Sequence, residues 1–460
     1  MNACNMDNKS RSINGIWESM SSGWILEIRD SSYYSFYDIN QIDCLPSKSG
    51  SFEQIASSLK LDKDTLSLKV GVTKNLFTQI QKIPIRCDEA KDSVVLKNPL
   101  FNFEYFAETV KEHYAFMKLN EIDWPAIYKE QKSKLTEEST EVELYLLIEE
   151  TFEKLNDNHA YINSSDEVYD AIDMMTNTTD EDLDDEIPLY GDFPVADMVV
   201  KNHIQDGMNE DSWIIKWGKL TEEIGYIQVK AMWLLAELDI PQTMQDSIGF
   251  VNAYLETSQN MFDGAYIQKE VEGVNKIMKS ATKDLRNTKS IVIDVRFNGG
   301  GQDAVSFEIL RHFIPNRLQV AKQKFKSGED YTSSFPLVIH GSDNAYLNPI
   351  YILTSPQTGS AAETFALATM AMKNAKRIGT RTEGALSTTL DKSLPNGWDF
   401  CVSNEVYMNN QNKLYENIGI PVDYEMNYSM DRQTFFRSVA EDLDNDKQMI
   451  LKAIKEINSK

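Results

Sequence analysis

The chain has 460 residues, enough for a large core and more than one domain. Its 46 lysines and arginines against 71 aspartates and glutamates give a net charge of -25, which argues against nucleic acid and anionic membrane surfaces as partners. No apolar run reaches the length of a transmembrane span, and no HExxH or paired Cys/His spacing suggests a metal.

At the start, Met1-Asn2-Ala3-Cys4 sets a small residue before a cysteine, as at the end of a lipoprotein processing site. Cys4 is therefore a candidate lipid anchor, which points to the periplasm or cell envelope; with no apolar signal region in view, the cytoplasm stays open. Cys44, Cys87 and Cys401 are scattered and odd in number, so neither a disulfide framework nor a zinc site is expected. Residues 1–90 read as a β-rich domain, because Trp24, Leu26 and Ile28 alternate, as do Leu66, Leu68, Val70 and Val72. Residues 91–165 form a helical lead-in, with Phe103, Phe106, Val110 and Tyr114, then Val142, Leu146, Ile148 and Phe152, at helical spacing. Residues 166–220 are an acidic insert or connection, with T-D-E-D-L-D-D-E at 179–186 read as a solvated loop. Residues 221–460 read as an α/β core. It opens near Ile224, Gly225, Tyr226 and Ile227 and closes in an amphipathic helix over 444–457, with Met449, Ile450, Ala453, Ile454 and Ile457 on one face. No internal repeat is present.

Two segments of this core carry chemistry. Residues 289–295, K-S-I-V-I-D-V, read as a buried strand, followed by Arg296-Phe297-Asn298-Gly299-Gly300-Gly301. Three glycines after a buried strand let the backbone approach a ligand and aim N–H groups at it. The loop lacks the Lys-Ser/Thr of a P-loop and the spacing of a dinucleotide fingerprint. A helix follows, with Ala304, Phe307, Ile309, Leu310 and Phe313 apolar. The second segment, 351–365, reads Y-I-L-T-S-P-Q-T-G-S-A-A-E-T-F. It predicts a buried strand over 350–353, a loop with Pro356 and Gly359, and a helix over 361–372. Ser360 thus stands on a strand-to-helix turn, where a helix N-terminus favours a developing oxyanion. The same Ser360-Ala361-Ala362-Glu363 is also a capping box. Taken alone, the segment supports both readings.

Together D-V-R-F-N-G-G-G, T-S-x-x-T-G-S-A-A-E-x-F-A and I-G-T-R-T-E-G-A resemble the core of the tail-specific (C-terminal processing) serine peptidases and the related tricorn protease. The resemblance extends over about residues 101–457, with the lead-in N-P-L-F-N-F-E-Y-F and I-D-W-P-A-I-Y and the late Y-E-N-I-G-I-P-V-D-Y. It implies an α/β, crotonase/ClpP-like peptidase core with a helical lead-in and a small β-rich N-terminal domain. It implies a bacterial serine peptidase acting on peptides or proteins through an acyl-enzyme, with no cofactor and no metal.

One branch of the family activates its serine with a lysine in T-x-G-K-G, a position held here by Ala385, with Lys392 nearby but outside the motif. The tricorn-like branch draws a histidine from D-x-H-x-Y, matched by Asp157-Asn158-His159-Ala160-Tyr161, so His159 is the expected general base. His113, His203, His312 and His340 have packed or surface readings. The branch orients its histidine with a late glutamate, here Glu416, and with a serine just before the histidine, here Asn158, which becomes the relay candidate. The oxyanion hole falls to the N–H of Ala361 and of Gly299 or Gly300. Only roughly 60 residues separate His159 from Gly225, which leaves little room for a PDZ domain. The alternative is a non-catalytic protein that binds apolar ligands or peptides on the same fold; acyl-CoA chemistry of the crotonase type ranks below it. Oligomeric state and endo- versus exo-preference are not legible.

Overall fold

The computed structural model describes residues 12–88, 91–176, 190–209 and 212–459. Cys4 and the 179–186 acidic run lie outside the described residues. The chain forms two compact units. One gathers Met1–Ile172, Lys326–Thr332 and Leu390–Val402; the other gathers Asp173–Phe325, Ser333–Thr389 and Ser403–Lys460.

In the first unit the alternating segments build a seven-stranded antiparallel sheet. Its spatial order is Cys44–Ser51, Tyr33–Ile39, Trp24–Arg29, Gly15–Ser19, Thr73–Ile80, Thr65–Val70 and Leu59–Asp62. The register sets Trp17 opposite Leu26 and Leu26 opposite Phe36, so large apolar side chains share one face. Val72, expected within a strand, falls in the turn before Thr73–Ile80. The cysteine expectation is corrected here: Cys44 and Cys87 form a disulfide across 43 residues, leaving Cys401 as a buried free thiol. Spacing carried no sign of it, because a strand residue and a short helix meet only in the fold.

The lead-in forms helices Pro99–His113, Trp124–Lys132 and Glu141–Leu155. Each starts where its sequence says. Asn98 and Asp123 accept N–H groups of the first turns, with proline just inside, and Thr140 and Glu143 close a capping box. Asn156, left-handed at φ 52°, ends the third helix just before the D-N-H segment. Phe106 packs edge-on to Phe152 and Phe400, and each such buried ring stabilises by about 1.5–3 kcal/mol. Leu146 is exposed; the buried stripe of that helix runs through Leu144, Leu147, Ile148, Thr151, Phe152 and Leu155. The strand Tyr161–Asn163 then pairs with Asp399–Ser403.

The second unit is built on a six-stranded sheet ordered Tyr424–Glu425, Ala375–Gly379, Ile350–Thr354, Ser290–Asp294, Ile224–Val229 and Ile215–Lys219. All neighbouring pairs are parallel except the last. Ser290–Asp294 and Ile350–Thr354 are buried at every position, which is why both read as continuous apolar runs. Helices Asp192–His203, Arg432–Ala440 and Leu443–Asn458 pack through Val195, Phe435 and Ile454 against Tyr226, Val292 and Tyr351 of this sheet. Asp303–Arg311 lies against Ala361–Thr369, where the Ser306 hydroxyl donates to the Ala361 carbonyl at 2.6 Å. Phe313 lies beyond the end of its helix, and the helix after Ser360 stops at Thr369 rather than 372. Ser290–Asp294 and Ile350–Thr354 are parallel neighbours, and Ala375–Gly379 adjoins the latter. Their following loops therefore emerge at one sheet edge, where open parallel sheets place ligands. No helix among the described residues is long and apolar enough to cross a membrane.

Candidate active site

Ser360 sits at φ 50°, ψ -124°. This is not the ordinary left-handed helical well, and a residue with a Cβ is strained there by of order 1–3 kcal/mol. The turn is held in place by its neighbours. The Ser360 N–H donates to the Ala385 carbonyl at 2.9 Å and the Gly359 N–H to the Asn298 carbonyl at 3.1 Å. The hydroxyls of Ser355 and Thr358 tie the same loop to the carbonyls of Arg296 and Val295, at 2.6 and 2.9 Å. The capping-box reading of Ser360 fails on this geometry. The Ser360 side chain accepts no N–H of its helix, and the Glu363 carboxylate is turned elsewhere. Glu363 accepts from the Thr382 hydroxyl at 2.5 Å and from the N–H groups of Gly384 and Ala385 at 2.8 and 2.5 Å. Burial pushes the Glu363 carboxyl up to about 8, while those three donors pull the other way. Ser360 is left partly exposed among buried neighbours.

The glycine loop lies directly against this turn. A Cβ on Gly300, at φ 118°, would stand 2.6 Å from the Ser360 Cβ and 3.1 Å from the Ala361 nitrogen. No other residue fits there. The Gly300 N–H is already engaged, donating to the Asn298 side-chain oxygen at 2.9 Å, while the Asn298 amide donates to the Val229 carbonyl at 3.0 Å. The N–H groups of Gly299 and Ala361 donate no hydrogen bond among the described residues. Behind the loop, the fully buried Arg296 donates to Asp294 at 2.7 Å and to Asp446 of the last helix at 2.8 Å, and Asp446 also holds Nε2 of His203 at 3.0 Å. Asn298 and Arg296, both inside the quoted motif, were not assigned roles from the sequence.

Glu416 is buried and accepts the N–H groups of Leu386 and Ser387, both at 3.1 Å. The 382–387 segment thus joins three parts: Ala385 receives the Ser360 N–H, Glu363 clamps Gly384 and Ala385, and Glu416 is held by the next two residues.

Residues 223–426 match peptidase family S41, and residues 97–153 match the tricorn protease C1 domain. This core is a family S41 peptidase domain. Among solved structures, a proposed peptidase from Parabacteroides merdae is similar at 19% identity and a TM-score of 0.52, covering 75% of this chain and 97% of its own. Mature CPAF is similar at 12% identity and a TM-score of 0.53, covering 79% and 98%. A complex of mature CPAF with lactacystin gives 13%, 0.53, 79% and 100%. At these identities the structures speak for the fold: an α/β S41 core with a helical lead-in and a β-rich N-terminal sheet.

Ala385, where the resemblance leads one to expect a lysine, is buried. Lys392 belongs to the first unit, where its buried ammonium donates to Asp38 at 2.7 Å and lies over Trp24. In that unit the His159 N–H donates to Asp157 at 3.0 Å, and the His159 carbonyl accepts the Cys401 thiol at 3.0 Å. These contacts fix the backbone and leave the ring available; Nδ1 is buried with no hydrogen bond among the described residues. Burial lowers the imidazole pKa against the opposing charge of Asp157, so the ring is neutral at neutral pH. Asn158 is exposed and makes no hydrogen bond among the described residues, so nothing in this unit assigns it a relay role. The other histidines have separate environments: His113 bonds the Ser21 carbonyl, His203 bonds Asp446, His312 lies 3.7 Å from Glu308, and His340 is exposed after its strand.

Proposed function

We propose that this peptidase is a serine peptidase of the tricorn-like type, cleaving peptide bonds through an acyl-enzyme on Ser360 with His159 as general base. The observation that carries the reading is the strained Ser360 turn packed against Gly300. His159 takes the Ser360 proton as Oγ attacks the peptide carbonyl. The oxyanion is held by the N–H groups of Ala361 and Gly299; Gly300 contributes by lacking a side chain. His159 then protonates the leaving amine, and a water activated by the same ring releases the acyl group. Glu416 is the orienting carboxylate, with Asn158 as a secondary relay group. The neutral imidazole of His159 and the absence of a lysine at 385 support the His-type branch.

The disulfide Cys44–Cys87 supports an oxidising compartment, hence the cell envelope or periplasm, with Cys4 as the proposed lipid anchor. Casein hydrolysis by wild type and Ser360→Ala, each with excess chelator, tests the reaction class. Chelator-resistant hydrolysis in wild type and its loss in Ser360→Ala is expected. Equal hydrolysis by both would overturn the assignment.

A further inference from the structure

Glu383 lies beside the nucleophile turn without a role in it. Its N–H donates to the Thr358 carbonyl at 3.1 Å, which fixes its backbone to the loop that ends in Ser360. Its side chain folds over Gly359: a Cβ there would stand 2.3 Å from Glu383 Oε2. Adding one Cα–Cβ bond and one Cα–Cα step places that oxygen within about 7.6 Å of the Ser360 Cα. Consecutive residues of an extended peptide are about 3.3–3.6 Å apart, so this reach covers the residues next to a bond attacked by Ser360.

Glu383 is an exposed residue, and its carboxylate accepts no hydrogen bond among the described residues. Its surroundings partly strip its water, and its pKa is raised by that desolvation, with the charge of Arg432 acting against it. Arg432 is itself committed, donating to both carboxylate oxygens of Asp192 at 2.5 and 2.6 Å and to the Gln357 amide oxygen at 3.1 Å. The other ionisable group facing Glu383 is the buried carboxyl of Glu363, which supplies no cation. A partly desolvated anion with no bonded cation is unfavourable alone and is stabilised when a cation arrives. The chain's net charge of -25 draws cationic substrates in the same direction.

We propose that Glu383 is a specificity-determining residue that binds a cationic group on the substrate, next to the scissile bond. A lysine or arginine side chain and a free α-amino group share this chemistry. The inference rests on Ser360 being the nucleophile.

The test uses quenched fluorescent peptides built on a sequence cleaved from casein, with lysine, norleucine or glutamate at each position flanking the bond, and with free or acetylated N-termini. Wild type, Glu383→Gln and Glu383→Lys are compared, and Ser360 is titrated in each with a neutral fluorophosphonate. Wild type should prefer the cationic peptide by at least about tenfold in kcat/KM. Glu383→Gln should level that preference and Glu383→Lys should turn it toward glutamate, with labelling unchanged. A preference that survives N-acetylation assigns the side chain as the cation; one abolished by acetylation assigns the α-amino group. Normal labelling with an unaltered preference in Glu383→Gln would overturn the proposal alone. No labelling of folded wild type would overturn the serine-peptidase reading and the proposal with it.

Discussion

Replacing Ser360 by glycine should make the protein more stable while removing its chemistry. At φ 50°, ψ -124°, a residue with a Cβ is strained by of order 1–3 kcal/mol, and glycine is not. Glycine gives back about 0.4–1 kcal/mol through its freer unfolded chain. The expected gain over wild type is therefore roughly 0–2.6 kcal/mol, centred near 1.3. Ser360→Ala keeps the Cβ and its strain and loses only a hydroxyl that caps nothing, so it should stay within about 0.5 kcal/mol of wild type. A capping serine predicts the opposite order: alanine would cost about 1 kcal/mol, and glycine a few tenths. Urea midpoints of the three proteins at matched m-values separate the two cases. Strain at Ser360 is refuted if Ser360→Ala loses 1 kcal/mol or more, about the value of a cap, and Ser360→Gly is no more stable than wild type.

Further expectations follow from the clamp, the disulfide, the base and the buried lysine. Glu363→Gln leaves the N–H groups of Gly384 and Ala385 competing for one acceptor; stability should fall by about 1–3 kcal/mol and fluorophosphonate labelling should slow, as read by urea melts and labelling rates. The double variant Cys44→Ser/Cys87→Ser opens a loop of 43 residues and should cost up to about 4 kcal/mol, measured by urea melts without reductant. The His159 pKa is lowered, so the neutral ring persists below the ordinary value of 6.5; the acid limb of the labelling rate should have its midpoint below pH 6.5, and a midpoint above it would contradict a base desolvated by burial. Lys392→Met strands the buried Asp38 and should destabilise by about 3–5 kcal/mol, yet leave the labelling rate per folded molecule unchanged.

The sequence made the chemistry-bearing strands legible because parallel strands buried on both faces leave unbroken apolar runs, as over Ser290–Asp294 and Ile350–Thr354. Helix starts were legible where a cap stood in the chain, as at Asn98, Asp123 and Thr140. The cap failed as a signal at Ser360. A serine three residues before a glutamate looks the same whether the glutamate reaches back or turns to Thr382, and that choice is made by a loop more than fifteen residues later. The pairing of Cys44 with Cys87 was invisible for the same reason, since it depends on tertiary approach and not on spacing. Apolar spacing marked the helix Glu141–Leu155 but not its phase: Leu146 lies on the exposed face, whereas the buried stripe begins at Leu144. In the candidate site, the motif pointed to Ser360, the glycines and Glu416, whereas the Asn298 and Glu363 contacts emerged only from the folded loops.

Intact mass after treatment with a fluorophosphonate, on wild type, Ser360→Ala and His159→Ala, tests the serine–histidine assignment most directly. One adduct on wild type, none on Ser360→Ala, and labelling at least about a hundredfold slower in His159→Ala is the expected result. An adduct that persists in Ser360→Ala, or labelling of His159→Ala at the wild-type rate, would contradict it.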